Sequence, residues 1–345
     1  MKMVTFLKTY VLALVFNVGI CGVAAAQDTP DLPSVFERLT EVEYVKMTLV
    51  TDMTTLIAQK NLDEYYPGTL TTENGKMYKV EVRARGKYRR KVAEVPPLKL
   101  KFSKKALRAE GLDTFNEIKL VLPVFDNAEG DDLIVREYVA YRMYEKLTQA
   151  SVRARIVKLT IRDSHVEKSN KTLFAILMEH EEETAARLKG TEVHAYGLPI
   201  DSMITNQVAL VSMFQYMIGN TDWDIPMQRN VRLIRSNETG KILVVPFDFD
   251  FSGFVAAPYA SPSAESGLRT VLDRYLMSYG VKSDALRRAT QTLKLCRKEL
   301  DTLCKGKYIS KYNSEHMIKY LDTFFEQINE KDVVPQMMRV SLMDR

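Results

Sequence analysis

Apolar and polar positions alternate with a period of two through the first half of the chain. Val45, Met47 and Leu49 are interleaved with Lys46, Thr48 and Val50, the signature of a strand with one buried face. The same signal predicts strands over residues 77–85, 98–102, 118–122, 152–161 and 173–179. One helix interrupts them, beginning at Asp131 or Asp132 and running to about Leu147, with Ile134, Tyr138, Tyr141 and Glu145 near one face. After Glu181 the period lengthens, and helices are expected over 199–218, 268–278, 283–303 and 314–329. One hairpin breaks that run. Its strands, 230–235 and 241–247, are joined by the turn-prone Ser236-Asn237-Glu238-Thr239-Gly240.

The N-terminus has a different pattern. Lys2 and Lys8 precede an uncharged apolar run that ends in Ala24-Ala25-Ala26, so residues 1–26 read as an export signal and place the mature protein in the periplasm, cell envelope or extracellular space. Cys21 suggests lipidation, but Ile20 stands where that processing needs a small residue. Residues 27–43, with Pro30 and Pro33, read as a tether, residues 44–180 as a sheet-rich lobe and 181–345 as a helical lobe. Removing Lys2 and Lys8 from 49 basic residues against 44 acidic ones leaves a net of +3, without the basic footprint of a nucleic-acid binder. No further apolar run is long enough to span a membrane.

The hairpin carries the chemistry. A turn centred on Glu238 sets Asn230 opposite Pro246, so Asn230, Asp248 and Asp250 gather at one end, and the loop after Gly219 brings Asp222 and Asp224 there. Carboxylate and amide oxygens suit a hard cation such as Mg2+ or Mn2+ and leave positions open for phosphates. Capping and turn formation are the competing explanation for each residue singly. The four histidines, His165, His180, His194 and His316, lack metal-ligand spacing, and neither a P-loop nor a nucleophile elbow occurs. Cys296 and Cys304, placed on one helix, are about 12 Å apart along its axis, too far to bridge.

The segments GNTDWDIPMQRN and VVPFDFDFSG resemble the catalytic segment of atypical protein kinases of the spore-coat protein H type. VEVRARGKYRRK and PPLKLKF are similar to that family's Arg-Gly turn and lysine strand, extending the resemblance from about Tyr44 to Tyr259. It implies a bilobal, protein-kinase-like α+β fold, with a sheet-rich N-lobe followed by a mainly helical C-lobe that carries the metal-site hairpin. It further implies Asp222 as base or substrate-orienting group, with Asp224 competing for that role, and Asn230 and Asp248 as metal ligands. Arg83 and Arg85 share a strand face before Gly86, where they would cradle phosphates. Lys99, or Lys101 on the same face, would hold the phosphates while paired with Glu137 on the helix.

The implied activity is Mg2+- or Mn2+-dependent transfer from ATP to a hydroxyl of an exported protein or glycan. Two other readings compete with it: a kinase-like binding protein that no longer catalyses, and a metal-dependent hydrolase using Asp222, Asp224, Asp248 and Asp250. ATP is scarce outside the cytoplasm, so an exported enzyme needs a compartment that supplies it or a different donor.

Overall fold

In a computed structural model, which describes residues 32–166, 169–330, 334, 335 and 337, the first element is a short helix, α1 (Val35–Leu39), capped by Ser34. The export signal expected over residues 1–26 lies outside the described residues. The tether reading of residues 27–43 is corrected where they are described, because Val35, Phe36 and Leu39 are buried in the first core.

The strands are β1 (Tyr44–Thr51), followed after α2 (Met53–Ala58) by β2 (Tyr66–Thr72) and β3 (Met77–Ala84). Next come α3 (Tyr88–Val92), β4 (Leu98–Phe102), α4 (Lys104–Ala109), β5 (Glu117–Val121), α5 (Ala128–Leu147), β6 (Ala154–Asp163) and β7 (Asn170–Met178). They pair in the order β1-β2-β3-β4-β5-β7-β6 and close into a barrel, the last seam being a parallel β1–β6 pair running from Tyr44↔Ile156 to Thr51↔Asp163. Inward residues such as Leu49, Val82, Leu100, Leu120 and Leu177 fill the interior, as period-two alternation requires.

The second half adds α6 (Glu181–Arg187), β8 (Gly190–Glu192), α7 (Thr205–Ile218), β9 (Val231–Ser236), β10 (Ile242–Pro246), α8 (Ser283–Leu303) and α9 (Lys311–Gln327). β8, β9 and β10 form a separate antiparallel sheet. The outer barrel face, through Val121, Ile156, Ile176 and Met178, shares one apolar core with α5, α7, α8 and α9.

This arrangement corrects the expected bilobal kinase-like fold. The strands close on themselves instead of forming an open sheet-rich N-lobe, the helices follow the barrel, and the described residues pack as one compact unit. The helix expected over 268–278 is also absent: Thr270 donates to the Asp273 carboxylate from both its amide and its hydroxyl, and Arg274 reaches back to the Met217 and Tyr320 carbonyls. These side-chain bonds give the backbone an alternative to helical ones. Among the described residues no helix is long and apolar enough to cross a membrane.

Candidate active site between the acidic hairpin and the barrel wall

The hairpin forms with its register moved by one residue. Pro246 lies opposite Val231, and the Phe247 amide donates to the Asn230 carbonyl over 3.0 Å. Asn230 and Asp248 therefore flank the strand ends, each with a positive φ (+52° and +63°), a conformation that Asn and Asp tolerate better than most residues. The amide of Asn230 donates to the Asp222 carbonyl (2.7 Å) and to Asp222 Oδ2 (2.9 Å), leaving Asn230 Oδ1 available to accept or ligate. Burial raises the Asp222 pKa, the Arg229 guanidinium 3.6 Å away opposes it, and Asp250 adds to it.

Asp224 faces elsewhere. It accepts from the Met227 amide (2.6 Å) and the Tyr279 hydroxyl (3.3 Å), so it closes its own loop. Of the two residues that competed for the base role, Asp222 is the one bonded to Asn230.

Asp248 is anchored through its backbone, which donates to Tyr141 Oη over 2.7 Å. Its carboxylate is 44% exposed and, among the described residues, has one ionic partner, Arg89, at 3.7 Å. Burial raises its pKa, repulsion from Asp250 adds to that, and Arg89 and Arg85 oppose it. Asp250 is engaged through one oxygen: Arg89 contacts its Oδ2 through Nη2 (2.9 Å) and Nε (3.0 Å), and the Tyr259 hydroxyl donates to it from 3.1 Å.

Glu137 does not pair with Lys99, and this corrects the expected ion pair. Glu137 Oε2 is 2.5 Å from Arg89 Nη2, while Lys99 Nζ is 2.6 Å from Glu117 on the neighbouring strand. Helix α3, which the sequence pattern did not reveal, swings Arg89 inward ahead of the barrel lysines. Glu137 Oε1 is buried without a partner, so burial outweighs Arg89 and raises the pKa of this carboxyl. Burial works against the charge on Arg89 itself, but Asp250 and Glu137 more than offset it.

The opposing wall is cationic. Arg83, Lys99 and Lys119 stand in register on adjacent strands, on the face turned away from the barrel interior. Arg83 is held at 2.9 Å by the exposed Asp63, away from the cavity. Lys101 is paired with Glu81 at 3.1 Å, which leaves Lys99 as the lysine of that strand that lines the cavity. The Arg85 guanidinium has no hydrogen bond or ion pair among the described residues; burial lowers its pKa, and Asp248 is the leading influence that opposes this. Gly86 follows with φ +88°, turning the chain into α3.

Lys119 was not anticipated. It is buried, and burial followed by repulsion from Arg232 pulls its pKa down to about 7 although Glu181 pairs with it. Its signal in the sequence is a single lysine inside Glu117–Val121, flanked by apolar residues on both sides. Lys99, Lys119, Arg232 and Phe247 line a cavity of about 770 Å³ whose far side is α6 and its N-cap, including His180 and Glu181.

The residues fit a hard cation to this extent: Asp248 is an underpaired carboxylate, Asn230 Oδ1 is unengaged, Glu137 Oε1 is buried without a partner, and the surrounding acids outnumber the arginines. Among the described residues no three His, Cys, Asp or Glu side chains converge as a preformed metal centre. An ion held by Asp248 and Asn230 therefore needs oxygens from its substrate, as Mg2+ commonly takes from phosphates. No protein-family model and no curated protein matches this chain, and the geometry alone carries the functional reading of the site.

Proposed function

We propose that this protein is a Mg2+- or Mn2+-dependent phosphotransferase that uses ATP to phosphorylate a hydroxyl of an exported protein or glycan. The observation that carries this reading is the juxtaposition of an oxygen-rich hairpin end, Asp222, Asn230 and Asp248, with a cationic barrel wall, Arg85, Lys99 and Lys119, beside a nucleotide-sized cavity. The acceptor oxygen attacks the γ-phosphorus, the bond to the β-phosphate oxygen breaks, ADP leaves, and Asp222 takes the hydroxyl proton. The raised pKa of Asp222 suits it to that role, and Asn230 holds it in place. A divalent cation held by Asp248 and Asn230 supplies charge neutralisation at the phosphates.

A hydrolase using four aspartates finds less support, because Asp224 and Asp250 are both engaged elsewhere. A second reading, a nucleotide-binding protein without catalysis, is favoured by one specific contact: Glu137 is taken by Arg89, so the lysine–glutamate pair is missing. A thermal-shift titration with ATP, with and without Mn2+, followed by mass analysis of the protein and of candidate acceptors, separates the two. Asp248→Asn is expected to abolish metal-dependent ATP binding, and Asp222→Asn to retain binding while losing transfer. Metal-dependent binding without transfer by the wild type would favour the second reading, and unchanged transfer by Asp248→Asn would overturn the first.

A further inference from the structure

Glu181 sits in an unusual electrostatic position. One of its oxygens, Oε2, is shared by Lys119 Nζ, His180 Nε2 at 3.5 Å and Arg232 Nη2 at 3.5 Å. Arg85 also feels its charge, after that of Asp248, and its guanidinium has no hydrogen bond or ion pair among the described residues. Oε2 thus faces three basic side chains at once, and a single carboxylate oxygen bonded closely by Lys119 cannot also lie in line with the donors of His180 and Arg232. Phe247 lies against the Arg232 guanidinium, 5.1 Å from ring centroid to its carbon, and fixes that cation at the cavity wall. The Glu181 side chain is 29% exposed and lines the cavity, so it has a path out of the cluster.

We infer that Glu181 is a built-in competitor for the cationic cluster of Lys119, Arg232 and Arg85, occupying the place that a polyphosphate arm takes and setting the affinity of the cavity for it. The inference rests on the reading that this cavity accepts a polyphosphate. A tetrahedral phosphate offers several acceptor oxygens and more than one negative charge, so it can accept separately from donors that here share one carboxylate oxygen. Binding then turns Glu181 out toward the solvent-exposed side of α6. Losing its charge removes the competitor and should tighten binding by about tenfold, the scale of one partly screened charge pair.

The test is calorimetric titration of the full-length protein with ATP plus Mn2+ and, separately, with inorganic tripolyphosphate, which reports the phosphate arm without a base. Glu181→Gln should bind both about tenfold tighter than wild type. Glu181→Asp keeps the charge but shortens the reach, and should fall between the two; it also decides the outcome if Glu181→Gln does not fold. Glu182→Gln removes a charge that also lines the cavity but is exposed and makes no ion pair with the cluster, and should leave affinity within about twofold, because exposed charges are largely screened. Unchanged or weaker binding by both Glu181 variants, or equal tightening by Glu182→Gln, overturns the role of Glu181 while leaving the polyphosphate reading intact. No binding of either ligand to any of the proteins overturns both.

Discussion

Arg89→Met removes the guanidinium at the centre of the acidic cluster while keeping the apolar stem. Arg89, Glu137 and Asp250 are 9%, 2% and 6% exposed, and Arg89 contacts both carboxylates at 2.5 to 3.0 Å. Breaking such a pair strands buried charge, at a cost of about 3–5 kcal/mol. For a chain of this size each kcal/mol lowers the midpoint by about 2 °C, so the expected loss is about 6–10 °C at pH 9, above the value of about 8 to which burial raises Glu137. The pH dependence makes the test specific. Burial already raises Glu137, and without Arg89 it is raised further. A carboxyl whose pKa is raised by folding binds more protons folded than unfolded between its ordinary value and the raised one, so stability falls as pH rises through that window. The deficit relative to wild type should therefore be small at pH 5 and largest at pH 9, read by thermal unfolding at both. Adding Glu137→Leu should restore part of the loss. A shift below about 2 °C at pH 9, or an equal deficit at both pH values, would refute the assignment of Arg89 as the cluster's counter-charge.

Two further outcomes follow from single groups. Because the Lys119 pKa lies at about 7, largely through burial, the side chain is mostly neutral at pH 8; a bound phosphate restores its charge, so ATP binding at pH 8 should take up a proton. Calorimetry in buffers of different ionisation enthalpy measures this, with Lys119→Met as the control that loses it; binding without proton uptake would exclude Lys119 from phosphate contact. Glu183 bonds Ser34 at 2.5 Å, and burial, reinforced by Glu179, raises its pKa to about 7. Being raised, it withdraws stability as pH climbs from its ordinary value of about 4.5 to about 7, by up to about 3 kcal/mol. Glu183→Gln should flatten the denaturant-midpoint curve over that window, and parallel curves for the two proteins would remove Glu183 from the account.

The barrel strands and the hairpin were legible because alternation and turn residues are local signals. The expected strands over 77–85 and 98–102 correspond closely to Met77–Ala84 and Leu98–Phe102. Closure was not legible, since the parallel Tyr44–Ile156 seam joins residues more than a hundred positions apart and leaves no local trace. β2 escaped notice because Pro67 and Gly68 follow its first residue and threonines fill much of the remainder, so its single buried residue, Leu70, gave no period. That Asn230 and Asp248 lie at one end was legible because a short hairpin fixes its ends. The cationic partners were assigned less well. In the run Lys87-Tyr88-Arg89-Arg90-Lys91 nothing in the sequence tells which base turns inward, and only α3 decides for Arg89. Lys99 was chosen on strand position, yet Glu117 lies within reach on the adjacent strand and takes it before Glu137 can.

The two halves of the site have opposite charge and the same construction. Each gathers like charges that cannot be buried together unless a counter-charge holds them. Among the carboxylates that counter-charge is Arg89, bonded to Glu137 and Asp250; among the bases it is Glu181, shared by Lys119 and Arg232. Both halves are left incompletely satisfied, with Glu137 Oε1 and Asp248 underpaired on one side and Arg85 without a hydrogen-bonding or ionic partner among the described residues on the other. A ligand of one sign would correct only one half and worsen the balance of the other. A divalent cation bound together with a polyphosphate, the ligand proposed above, would bring a positive centre to Asp248 and Asn230 and negative oxygens to Lys119, Arg232 and Arg85. The chain is nearly neutral overall, at +5 over 345 residues, so the polarity of the site comes from how the barrel wall and the hairpin end are set against each other. A metal–polyphosphate, as proposed, would match that local separation of charge on both sides, where either ion alone would match one.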